Sequence, residues 1–211
     1  MNGDFENWHI DSMGAQKLDN WNHFQNDADR NNYGLMPGTW RVTNAQNGNY
    51  ALKLSRWYAS DVDNVRQWTA ISQKPGSLSG YYIYEDPNLT YNINGGTGHI
   101  TDTALVFIYL THWNATLQNR DTLGSGMQRL GAVGSYTPFS LPIQYISTAQ
   151  PDSASVAIFP TSYPDTSNSI VCKSLGTCSF LTIDNLQLQV STSVISLNEA
   201  EHIELFPNPA F

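Results

Sequence analysis

Two groups of residues in this 211-residue chain have side chains suited to chemistry, one acidic and one aromatic. In Asn2-Gly3-Asp4-Phe5-Glu6-Asn7-Trp8, polar and aromatic residues alternate, so an extended strand would place Asp4 and Glu6 on one face and Phe5 and Asn7 on the other. Near the far end, Phe180 to Val190 reads as a strand that carries Asp184 among apolar residues, where an unpaired charge is costly. The aromatic group comprises Trp57-Tyr58, ahead of an Asp/Asn-rich loop, and Trp113, which stands beside His112 and Asn114 with Arg120 and Asp121 downstream. An exposed indole or phenol offers an apolar plane to a pyranose ring, and neighbouring amides, carboxylates or guanidinium groups can bond the sugar hydroxyls. The expected ligand-binding set is therefore Trp57, Tyr58, Trp113, Asn114, Arg120 and Asp121. Packing is the competing use of each aromatic, since aromatics favour strands and bury large areas, and Tyr81, Tyr82 and Tyr84 are read as packing.

Hydrolysis of a glycosidic bond needs two carboxylates about 5 to 10 Å apart, and Glu6, Glu85, Asp102, Asp152 and Asp184 are available in number. None lies in a motif resembling a glycosidase site. The histidines at 9, 23, 99, 112 and 202 are dispersed, and no Gly-x-Ser-x-Gly elbow is present. The expectation is a binding protein without catalytic residues. Cys172 and Cys178 enclose a five-residue loop containing Gly176; a disulfide there would contribute about 2 kcal/mol, and two free thiols are the alternative. Without histidines at ligand spacing they do not form a zinc site.

Short strands and long polar loops must position these groups. Charged residues are 13% of the chain, against a usual ~25%, and the net charge is −8. That balance disfavours nucleic acid or an anionic membrane surface, whose affinity comes from clustered Lys and Arg. No stretch approaches the ~20 apolar residues of a membrane helix, so no membrane insertion is expected. No basic-then-apolar leader follows Met1, so an exported protein would have lost its signal peptide from this sequence. Asp11 to Leu35 reads as a surface excursion and Tyr91 to Thr101 as a flexible loop. Thr103 to Thr111, apolar at nearly every position, reads as a mid-sheet strand covered on both faces, and Trp113-Asn114 as the opening of a polar loop. Further strands are expected at Tyr50 to Trp57, Arg66 to Gln73, Leu78 to Glu85, Met127 to Val133, Tyr136 to Ser147, Ser153 to Phe159 and Phe180 to Val190. Some ten strands without an amphipathic helix indicate an all-β sandwich or jelly roll, in a single monomeric domain.

The opening Asn-Gly-x-Phe-Glu, the strand Gly-Asn-Tyr-Ala-Leu-Lys-Leu at Gly48 to Leu54 and the closing Ile-Asp-Asn-Leu at Ile183 to Leu186 resemble, in that order, jelly-roll (galactose-binding-like) carbohydrate-binding modules. Leu78-Ser79-Gly80-Tyr81-Tyr82-Ile83-Tyr84 is similar to the carbohydrate-metabolism domain of secreted bacterial surface proteins. The resemblance implies a β-sandwich whose first and last strands meet at a structural calcium ion, with Glu6 and Asp184 as side-chain ligands and Asp4 and the Gly48 carbonyl as lesser ones. Calcium takes six to eight hard oxygen ligands, which suits that set. Apart from the resemblance, Asp4 and Asp184 read as turn and cap residues and Glu6 as solvated. Residues 1–190 would form the domain and 191–202 a linker. Residues 203–211, with Phe206-Pro207-Asn208-Pro209-Ala210, resemble the start of a type IX secretion C-terminal sorting domain. The implied function is that of a non-catalytic polysaccharide-binding module of a secreted or cell-surface bacterial protein. The alternatives are a surface adhesin and a glycoside hydrolase accessory or catalytic domain.

Overall fold

A computed structural model describes residues 1–12, 16–23, 39–55, 64–85, 89–93, 96–162 and 179–190. In chain order its strands are β1 (Trp8–Ile10), β2 (Gln16–Leu18), β3 (Asn22–His23), β4 (Thr39–Val42), β5 (Ala51–Ser55), β6 (Val65–Ala70), β7 (Pro75–Glu85) and β8 (Leu89–Ile93). They continue with β9 (Gly96–Ile100), β10 (Ala104–Asn114), β11 (Asn119–Leu130), β12 (Val133–Pro142), β13 (Gln144–Tyr145), β14 (Ser153–Phe159) and β15 (Phe180–Val190). No helix occurs among the described residues, and none is long and apolar enough to cross a membrane.

The strands form a jelly-roll β-sandwich. One sheet has six strands in the order β13-β11-β10-β14-β6-β3, the other five in the order β12-β7-β15-β5-β4, and every pairing is antiparallel. The chain passes repeatedly from one sheet to the other, so most neighbours in a sheet are distant in sequence. β15, the last described strand, lies between β7 and β5. Alternation sends one parity of each strand inward. Leu52 and Leu54 of β5, Leu78, Tyr82 and Tyr84 of β7, Val106, Ile108 and Leu110 of β10, Val156 and Ile158 of β14, and Leu181 and Ile183 of β15 interdigitate in the core. Tyr82 and Tyr84 are thus packing residues, as expected.

Several sequence expectations are corrected. Residues 2–7 form no strand: Phe5 turns at φ +53°, which sends its ring into the core and leaves Asp4 exposed, so Asp4 and Glu6 do not share a strand face. The excursion from Asp11 is not wholly superficial, because Leu18 and Trp21 are buried beside Phe5, with Trp21 5.6 Å from it, ring to ring. The glycine-rich stretch near Tyr91 forms the two-stranded ribbon β8–β9. Trp113 and Asn114 end β10 rather than open a loop, since β10 and β11 make one long hairpin with a register shift at Leu110/Thr111. β10 is central in its sheet, yet only its even positions from 104 to 110 face the core; Tyr109 on the other side is 39% exposed. Apolar character on both parities here reflects one core face and one surface face.

Candidate functional site

The outer face of the six-stranded sheet is laid out by register. β14 presents Ser153, Ser155 and Ala157, all small. Ser155 lies opposite Trp68 of β6 on one side and Tyr109 of β10 on the other, and Ala157 lies between Arg66 and Phe107 in the same way. Small residues between rows of large ones let the large side chains close over β14: Ser153, Ser155 and Ala157 are 8%, 2% and 1% exposed, so the surface here is made by the flanking aromatic rows. Trp68 (46% exposed), Tyr109 and Trp113 (43%) present their rings to solvent. Phe107 and Tyr109 are nearly parallel, 3° apart with centroids at 6.4 Å, and Phe159 packs edge-on against Phe107 at 5.6 Å. Beside this row, a depression of about 300 Å³ is lined by Phe107, Tyr109, Met127, Pro142 and Gln144.

One end of this face is built around Arg120. Its Nη1 donates to Asp152 Oδ1 (2.8 Å), Ser153 Oγ (2.8 Å) and Thr111 Oγ1 (3.4 Å). The guanidinium lies 5.7 Å from the Trp68 ring centroid and 5.9 Å from that of Trp113, within cation–π range of both. Asp152 also accepts the Trp113 backbone N–H (2.7 Å) and the Ser153 hydroxyl (2.6 Å), and His112 Nδ1 is 3.6 Å away. The Ser153 hydroxyl, the Trp113 N–H and Arg120 outweigh partial burial and hold the Asp152 carboxyl down at about 2. The Asp152 carboxylate therefore holds the Arg120 guanidinium and the Trp113 backbone in place, and it stays ionised through the neutral range.

Of the expected ligand-binding residues, the structure brings Trp113 and Arg120 together. Asn114 and Asp121 bond each other (2.8 Å) on the opposite face of the hairpin, and Asn114 Oδ1 accepts the N–H groups of Thr116 and Leu117 (both 3.1 Å), which shapes the turn. Trp57, Tyr58, Cys172, Cys178 and residues 191–211 lie outside the described residues. Sequence reading missed Trp68, Tyr109 and Asp152. Trp68 stands between Gln67 and Thr69 in an expected strand, a usable alternation signal; Tyr109 is hidden in an uninterrupted apolar run.

A second site joins the two ends of the described chain. Glu6 Oε1 accepts the N–H groups of Asn49 (2.7 Å) and Tyr50 (2.9 Å), and Asp184 Oδ2 those of Gln46 (2.8 Å) and Asn47 (3.0 Å). Asp184 Oδ1 takes its neighbour's N–H, from Asn185 at φ +53° (2.7 Å). Burial pushes the Glu6 carboxyl up, but the N–H groups of Tyr50 and Asn49 and the Asn49 side-chain amide hold it below its ordinary value. Asp184 is 0% exposed; burial raises it, the amides of Asn47, Asn185 and Gln46 oppose, the nearby charge of Glu6 raises it further, and the net direction is up. No Lys, Arg or His among the described residues pairs with either carboxylate, so two repelling anions share one turn. A cation there would offset the charge, sharing carboxylate oxygens that each already accept an N–H donor. No group of three or more His, Cys, Asp or Glu side chains suited to a metal occurs among the described residues, so backbone oxygens would have to complete the shell, as hard cations accept.

No protein-family profile matches the chain, and no curated protein matches it. Solved structures do. A candidate glycoside hydrolase from Bacteroides thetaiotaomicron superposes with a TM-score of 0.59 at 13% identity, covering 84% of this chain and 63% of that one. One from Bacteroides vulgatus gives 0.56 at 13% identity, covering 88% and 96%. At such identity the likeness shows the sandwich fold alone. A family 11 carbohydrate-binding module from Clostridium thermocellum, in complex with a β-1,3-1,4-mixed-linked tetrasaccharide, is among weaker matches at 0.44 and 11% identity, covering 89% and 92%; no argument rests on it.

Proposed function

We propose that this chain is a non-catalytic carbohydrate-binding module that holds a polysaccharide across the aromatic outer face of the six-stranded sheet. The observation that carries the proposal is the pair of exposed indoles, Trp68 and Trp113, held on either side of Arg120. Indole planes suit the apolar faces of pyranose rings, and the part-exposed Arg120 guanidinium between them supplies donors for hydroxyls. The names of the two structural neighbours bring in hydrolysis as a second reading. Against it, Asp152, the carboxylate beside the indoles, is held at about 2 and cannot deliver a proton near neutral pH, where a general acid works with a raised value. Export or surface attachment of the parent protein belongs to the same proposal, on the sorting-domain resemblance at residues 203–211.

Affinity electrophoresis through polysaccharide gels tests the binding. Trp68→Ala and Trp113→Ala should each weaken retention at least about tenfold, as central aromatic anchors do. Neither should lower stability by the ~3–5 kcal/mol of a core Trp. Lack of retention of the intact protein on every polysaccharide would reject the proposal.

A structural calcium ion is also proposed. Glu6 and Asp184 would hold it, with backbone carbonyls at the Gly48 turn, and bound there it supplies charge balance rather than reactivity. Chelation should then lower the melting temperature by roughly 5 to 10 °C. The shift should vanish in Glu6→Gln/Asp184→Asn. Because Asp184 has a raised pKa, protons compete there, so the shift should shrink as pH falls through it. A chelator effect that is nil in the native protein, or equal in the variant, removes the ion from this site.

A further inference from the structure

We infer that the polysaccharide is an acidic one, whose carboxylate or sulfate groups are taken by Arg120 and Arg129. This rests on the binding proposal above and adds the class of ligand. The whole chain is acidic, yet this face is not. By register, the outward positions of its six strands include Arg66, Arg120 and Arg129, three of the chain's six arginines, and no Asp or Glu. Asp152, just before β14, neutralises Arg120 in part. Arg66 has a contact of its own, which leaves Arg120 and Arg129 as the ligand-facing pair.

The donors of Arg120 are used unevenly. All three of its side-chain hydrogen bonds leave from Nη1, while its side chain is 40% exposed. Among the described residues the Nε–Nη2 edge has no bonded acceptor, and that edge is the fork which takes a carboxylate or sulfate with two parallel bonds. The flanking indoles would exclude water from such a pair and strengthen it. Arg129 is exposed, and its one side-chain hydrogen bond among the described residues, to Thr103 Oγ1, is long at 3.5 Å. It stands opposite Leu105, one step along the face from Met127 and Phe107. Along β11 the backbone positions of the two arginines are roughly 30 Å apart, with the exposed ring of Tyr109 between them. Only an oligosaccharide or polymer spans that distance, and a repeating acidic sugar presents charges at intervals along it. In a chain with a charge of −8, a locally basic strip would also orient such a polymer onto this face.

Affinity gels of neutral polysaccharides (galactan, mixed-linkage glucan), carboxylated ones (polygalacturonate, alginate) and a sulfated one (carrageenan) test this, each at low and high salt. Retention should be stronger on the acidic gels and fall with salt there, and carboxylated against sulfated gels identify the group recognised. Arg129→Gln should weaken acidic binding about three- to tenfold at low salt, with an unchanged melting temperature and unchanged neutral binding. Trp113→Ala should weaken every interaction. Salt-independent retention on neutral gels, equal in Arg129→Gln, would overturn the acidic ligand and leave the binding module intact. Absence of retention on all gels would overturn both.

Discussion

Gly48 shows how a single residue fixes the acidic site. Its φ is +77°, and a Cβ there would lie 2.3 Å from Glu6 Oε1, so a side chain would be strained by the backbone and would also push the carboxylate off the amides of Asn49 and Tyr50. Gly48→Ala should cost about 2–3 kcal/mol, the left-handed penalty plus a charge-assisted hydrogen bond, read as a lower urea midpoint at constant slope. A loss under about 0.5 kcal/mol would mean that Glu6 does not depend on this approach. Sequence reading reached Gly48 through its carbonyl, as an implied ligand, whereas the structure gives its missing side chain a reason. Glu6 and Asp184 were legible as a pair from the order of motifs. The left-handed turn at Phe5 was not, since nothing about a phenylalanine announces φ +53°. Asp152 was legible only as one carboxylate among several, because its partners Trp113 and Arg120 lie 39 and 32 residues away. Its folded-state value is depressed, so its contribution is present above the ordinary carboxylate range and is lost only as pH falls toward about 2. Polysaccharide retention should accordingly be flat from about pH 4 to 8. A loss of retention on acidification within that window, with the fold intact, would show that a group other than Asp152 controls the site.

The element least expected from sequence is the entry into β3. The residues from Asp11 onward lack any sustained period, yet Trp21 is buried, donates its Nε1–H to Asn2 O (3.0 Å) and packs on Phe5. Trp21→Ala should therefore cost about 3–5 kcal/mol, whereas Trp113→Ala should cost far less, and paired urea titrations separate the two. Equal losses would mean that Trp113 is a packing residue and the binding face is misplaced. Strands with strong endpoints were read to the residue: β14 and β15 begin and end where turn residues and hydrophobic runs place them. β10 was found but its faces were not distinguished, because Phe107 and Tyr109 are as apolar in sequence as Ile108. A ligand-facing aromatic row and a buried core row look alike in a linear string. Only register against Ser155 and Ala157, on a strand some 50 residues away, separates them.

The whole molecule is closed by pairings between distant segments. β15 inserts between β7 and β5, and the N-terminal segment meets β15 at Leu186 and the turn before β5. Leu186 N donates to Gly3 O at 2.7 Å, a Cβ at Gly3 would fall 2.1 Å from Leu186 O, Phe5 is wholly buried, and Glu6 holds the turn before β5. Seven residues thus tie the first, middle and last parts of the chain. Deleting residues 1–7 removes one fully buried aromatic side chain, worth about 3–5 kcal/mol with its cavity. It also strips Leu186 N and the amides of Asn49 and Tyr50 of their acceptors, at about 1–3 kcal/mol for each one left buried. Against the ~5–15 kcal/mol of a whole domain, that loss should bring the protein close to its unfolding threshold. The expected result is a truncated protein whose urea midpoint falls by at least half, while the isolated Glu6→Gln substitution lowers it only modestly. Calcium should restore little in the truncated form, because Glu6 is gone, but should still stabilise a variant carrying only Phe5→Leu. A truncated protein with the native midpoint would show that the N-terminal segment rides on the sandwich without closing it, and that the calcium proposal must be sought elsewhere.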